Sequence, residues 1–152
     1  MKVIKNFESI ENLFPFFDEF DCVVILAKYN CGKSSICTEK IHNSFGEENV
    51  YYVTFVDQSK PDFTPRQNRL NFGEVVFNKI IVFDEISDDQ SRDVRGYLKK
   101  LIKRNKLIIL SNPYGSSSEA KKEAELFREQ EKDILPEKAL FVYVLERIQL
   151  RI

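Results

Sequence analysis

The sequence is poor in the residues that mark several large functional classes. It holds three cysteines, Cys22, Cys31 and Cys37, an odd number without zinc-ligand spacing. That argues against a disulfide framework and against a zinc module, and the thiols read as reduced, as in a cytosol. A cytoplasmic chain is therefore expected. His42 is the only histidine, and a structural place is expected for it. The net charge is −1, so no overall basic field advertises nucleic-acid binding. Any such contact must come from a local patch or from a ring of subunits. No apolar run reaches the length of a membrane span, and the N-terminus lacks the apolar core of a signal peptide. No membrane partner is expected. Internal repeats and low-complexity tracts are absent as well.

What remains is ordinary globular composition. The 152 residues are 43% apolar, enough for one domain with a proper core. Ile10, Leu13, Phe14, Phe17 and Phe20 recur at helical spacing, and residues 1–20 read as a helical lead-in to a core over 21–147. Strands are expected at 21–27, 50–56, 79–84, 107–112 and 139–145, each rich in β-branched or aromatic residues. Helices are expected at 32–45, stopped by Gly46, at 88–104, and from a capping box at Ser116 and Glu119 through about Asp133, the last a charged, solvent-facing helix with a thin apolar stripe at Ala120, Ala124 and Phe127. Residues 57–71, with Arg66 and Arg69, read as a loop, and 72–78 fit either a helix or an edge strand. Strands alternating with helices predict a three-layer α/β domain with a mainly parallel sheet of five strands.

The junction after the first strand is the most telling segment. Ala27, Lys28, Tyr29, Asn30, Cys31, Gly32, Lys33 and Ser34, with Ser35 behind them, match the phosphate-loop pattern G-x-x-x-x-G-K-[ST], with Ala in place of the first Gly. The match lies between an apolar strand and a helix, as such a loop requires. Its backbone N–H groups wrap phosphates, and the following helix points its positive end at them. Gly32 permits close approach, Lys33 reaches the β- and γ-phosphates, and Ser34 holds Mg²⁺. Cys31 reads as a tolerated small residue within the loop. ATP and Mg²⁺ are the expected ligands. No guanine-reading N-K-x-D motif is present.

The third strand ends in Asp84-Glu85 after an apolar run, a Walker B pattern. Asp84 is expected to support the metal. Glu85 can orient and polarise an attacking water, which tilts the reading toward hydrolysis. Asn112, at the end of the fourth strand, is placed to sense the γ-phosphate. Lys99, Lys100, Lys103, Arg104 and Lys106 form a basic cluster around one helix end, where cations also stabilise the helix C-terminus.

Together these features resemble the additional-strand, catalytic-glutamate division of P-loop ATPases, over residues 21–147. Within it, Val82-Phe83-Asp84-Glu85, Leu110-Ser111-Asn112 and Lys103-Arg104-Asn105 are similar to motifs of the genome-packaging ATPases of small tailed phages. The resemblance implies a sheet order 5-1-4-3-2 and a homo-oligomeric ring. It implies action on double-stranded DNA with a partner protein such as a portal or loader. It makes Arg104 an arginine finger for a neighbour's γ-phosphate, with Arg92, Arg95 and Arg128 as rivals. The Leu-Ser-Asn element is also similar to a motif of superfamily-three viral helicases. Two other classes stay open. One is a nucleoside or nucleotide kinase, although lid arginines and cysteine pairs for a zinc lasso are missing. The other is an ATP-dependent switch or assembly factor.

Overall fold

The computed structural model describes residues 2–4, 15, 18–27, 41–54, 74–84, 92–111 and 119–144. Six strands form one sheet: β1 (Lys2–Ile4), β2 (Cys22–Ala27), β3 (Val50–Thr54), β4 (Ile80–Asp84), β5 (Lys106–Ser111) and β6 (Ala139–Val144). Their order is β1-β6-β2-β5-β4-β3, and every pairing is parallel. Helical residues 41–45 (α1) precede a single 3-10 turn at Glu47–Asn49. The longer helices are α2 (Arg92–Ile102) and α3 (Ala120–Gln130).

The architecture follows from where the apolar residues point. All six residues of β2 are buried, as are the last five of β5. Successive side chains of a strand point to opposite faces, so such strands need cover on both sides. On one face Val23, Ile25, Val82, Ile108 and Leu110 pack with Ile41 of α1. On the other, Val24, Leu26, Phe83 and Ile109 pack with Leu98 and Leu101 of α2 and Ala124 and Phe127 of α3. The result is a helix–sheet–helix sandwich of three layers.

Two features differ from expectation. The sheet has six strands rather than five, so its order differs too, and the chain begins with a strand where a helical lead-in was expected. Lys2, Val3 and Ile4 pair with Val142, Tyr143 and Val144 of β6. Three residues are too few to show a period, and what makes them a strand is the open edge of β6. The remaining strands, taken alone, run β6-β2-β5-β4-β3. The capping box is also corrected. Glu119, not Ser116, occupies the N-cap of α3, and it makes no side-chain capping bond. An acidic residue there still complements the helix dipole. Ser116 and most of residues 5–17 lie outside the described residues.

The helix expected to run to residue 104 ends at Ile102, and Asn105 supplies the reason. Its buried amide donates to the Leu101 and Val76 carbonyls at 2.9 Å each, and its oxygen accepts the Lys79 N–H at 2.9 Å. One side chain thus ties the end of α2, the lead into β4 and the start of β5. Of residues 72–78, expected as helix or edge strand, the described ones, 74–78, are neither, and β4 starts at Ile80 rather than Lys79. Gly46 ends α1 with φ of 86°, and a Cβ there would lie 2.8 Å from the Glu48 carboxylate.

Asn105→Ala leaves three backbone groups, one buried and two part-buried, without that partner. Urea unfolding should show a loss of about 2–3 kcal/mol. A loss under about 0.5 kcal/mol, the range of an ordinary surface change, would contradict the tie.

Candidate functional site

The carboxyl ends of four neighbouring strands lie level along one edge of the sheet. Leu26 pairs with Ser111, Leu110 with Asp84, and Asp84 with Thr54. Ala27, Ser111, Asp84 and Thr54 therefore end β2, β5, β4 and β3 side by side. Strand spacing puts the backbones of Ala27 and Asp84 about 10 Å apart, across the end of β5. Ala27 and Ser111 are buried.

The connections at this edge diverge. From β2 the chain passes through α1 on one face to reach β3, while from β5 it passes through α3 on the other face to reach β6. Both moves fit right-handed crossovers, because they run in opposite directions along the sheet. Adjacent strands whose connections part to opposite faces leave a crevice outside their carboxyl ends. In open α/β sheets that is where ligands bind. Here that switch point falls between β2 and β5.

The motif residues divide between described and undescribed. Ala27 ends β2, and the backbone of Asp84 ends β4, two strands away. Lys28, Tyr29, Asn30, Cys31, Gly32, Lys33, Ser34, Ser35, Glu85 and Asn112 lie outside the described residues, as do Arg66 and Arg69. Arg104 is not brought to this edge. It precedes β5, at the amino end of the sheet, about 20 Å of strand from Ser111. It is exposed, and its guanidinium lies 5.2 Å from the centroid of the Phe77 ring. Arg128 is engaged within the chain: it sits 4.8 Å over Phe141 and donates to the Ala139 carbonyl at 3.3 Å. Arg92 and Arg95 belong to α2. His42 meets Tyr52 edge to face at 5.3 Å, a packing role. Lys106 pairs with Asp21 at 3.1 Å, while Lys99, Lys100 and Lys103 are exposed.

Sequence reasoning missed Glu123. The charged helix α3 was expected to face solvent apart from a stripe at Ala120, Ala124 and Phe127, yet Glu123 is fully buried beside that stripe. The signal was its spacing, three residues after Ala120 and four before Phe127. Burial raises the Tyr143 phenol pKa, and the Glu123 charge adds to the effect. Burial likewise pushes the Cys22 thiol up, with help from Asp21, so this thiol is poorly reactive. The Tyr97 phenol is pushed up to about 12, first by burial and then by Glu74.

Among the described residues no cluster of three or more His, Cys, Asp or Glu could hold a metal. Magnesium needs no such cage, since one or two carboxylates plus phosphates and waters suffice. Among the described residues no helix is long and apolar enough to cross a membrane. No protein-family model and no curated protein sequence matches this chain.

Tyr97 gives a pH prediction. Its folded pKa lies above the unfolded value of 10.0, so its contribution to stability is complete below pH 10. That contribution is lost as pH rises toward about 12. Thermal melts should show the midpoint falling over this window, and Tyr97→Phe should flatten the fall. An identical fall in the variant would remove Tyr97 as a cause.

Proposed function

We propose that this chain is a P-loop ATPase that binds and hydrolyses ATP with Mg²⁺, and that it works as a homo-oligomeric ring moving nucleic acid, as in viral genome packaging. The observation that carries the reading is the switch point between β2 and β5, where the connections part to opposite faces. The phosphate-loop sequence follows one of these strands, and Asp84-Glu85 leaves the strand next to the other. A phosphate loop and a Walker B pair elsewhere on the sheet would be accidents of composition. At the switch point they are where a nucleotide fits.

In this reading the loop amides and Lys33 hold the β- and γ-phosphates. Ser34 and Asp84 hold Mg²⁺, which neutralises charge on the phosphate oxygens. Glu85 accepts a proton from the attacking water as its oxygen bonds to the γ-phosphorus and the bond to the ADP oxygen breaks. Asn112 donates to the γ-phosphate or orients that water. In a ring the arginine acting in trans is then Arg92 or Arg95, on the helix after β4, rather than Arg104, whose guanidinium rests over Phe77 at the amino end of the sheet. An arginine so placed can raise turnover by several orders of magnitude.

Glu85→Gln should keep ATP binding, followed with a fluorescent nucleotide. It should slow phosphate release by about a hundredfold or more. Lys33→Ala should lose binding. Unchanged turnover in Glu85→Gln removes that residue from the mechanism, and a wild-type chain that does not bind ATP sinks the reading. Turnover per subunit should climb with protein concentration and with double-stranded DNA. Consumption that needs an added nucleoside would point to a kinase instead.

A further inference from the structure

The amino end of the sheet carries a surface that nucleotide binding leaves unused. The chain enters β4 through residues 74–79, which are neither helix nor strand but whose backbone is pinned. The Tyr97 hydroxyl donates to the Glu74 carbonyl, the Asn105 amide to the Val76 carbonyl, and the Asn78 N–H to the Arg104 carbonyl. Asn78 takes a φ of 56°, which Asn tolerates better than most residues. On this fixed backbone Val75 and Phe77 stay 58% and 51% exposed.

Single exposed apolar residues are common; what distinguishes these is their company. Arg104 covers part of the Phe77 ring, within cation–π range. Lys99 and Lys100 stand in the last turn of α2, and Lys103 follows it, all exposed. Among the described residues none of these lysines forms an ion pair. Gly96, one turn earlier on the same outer face, would carry a Cβ with nothing within 4 Å. A bare backbone there allows close approach. Glu74 is the acidic residue of the segment at 74–79.

We propose that this surface binds single-stranded nucleic acid, with an unpaired base stacked on Phe77 and the flanking phosphates against Lys100 and Lys103. A polyanion answers the unpaired lysines, whereas protein interface cores are depleted in lysine. The exposed ring answers a base, whose π-face stacks on aromatic side chains regardless of sequence. A duplex offers no free base face. The surface lies at the other end of the sheet from the proposed nucleotide site, and its binding does not depend on ATP hydrolysis.

The test is fluorescence anisotropy of labelled oligothymidylate and of a duplex of equal length, without nucleotide, across salt. The full chain should prefer the single strand, with log affinity falling against log salt at a slope of about −1.4 for two phosphate contacts. Phe77→Ala should weaken binding about ten- to a hundredfold, and Phe77→Tyr should restore it. Lys100→Gln with Lys103→Gln should flatten the salt slope. Phe77 is exposed, so its variants should unfold at the wild-type midpoint. No binding at low salt overturns the proposal, as does equal binding by Phe77→Ala or a preference for duplex. A change of sedimentation in Phe77→Ala without loss of oligonucleotide binding would make the patch a protein contact and overturn it too. Loss of ATP turnover in Glu85→Gln leaves this result untouched, so the two readings fail separately.

Discussion

A parallel sheet buried on both faces has no side it can offer to water, and that constraint organises this molecule. β2 carries apolar residues at every position, odd ones toward α1 and even ones toward α2 and α3. Each such side chain contributes about 1.5–3 kcal/mol when fully buried, so leaving either face uncovered is costly. Helices must therefore lie on both faces. Parallel strands then force the crossovers, and crossover handedness decides which helix goes to which face.

From that constraint comes the difference between the two ends of the sheet. The carboxyl ends of β2, β5, β4 and β3 are level, and the connections from β2 and β5 part there. The amino ends are instead closed by tight joins. Asn105 gathers three backbone groups, and Lys106 reaches Asp21 beside β2. A topological switch point at one end and a pinned, lysine-bearing surface at the other make the two ends chemically different.

Much of this was legible in the sequence. The long buried strands announced themselves, because a run such as Cys22–Ala27 fits nothing but a strand covered on both sides. Gly46 marked the end of α1 for a stereochemical reason that the structure repeats. What escaped were features decided by distant partners. β1 exists because β6 has a free edge, and nothing within Lys2–Ile4 says so. Asn105 entered the sequence reading only as the end of Lys103-Arg104-Asn105, while its importance lies in contacts to residues 76 and 79. Glu123 looked solvated because charge was weighed above spacing. At the site, the sequence located a phosphate-loop pattern after β2 and an Asp84-Glu85 pair along the chain. The register across β2, β5 and β4 adds that their strands end side by side.

The central claim is that Mg²⁺ and ATP bind at the carboxyl end of the sheet, between β2 and β5. Backbone amide NMR of the protein titrated with Mg²⁺ and a non-hydrolysable ATP analogue tests it most directly. The account predicts the largest shifts at and next to Ala27, Asp84 and Ser111, with Lys79, Asn105 and Lys106 at the amino end unmoved. Shifts centred on the amino end, or none at saturating nucleotide, would contradict it.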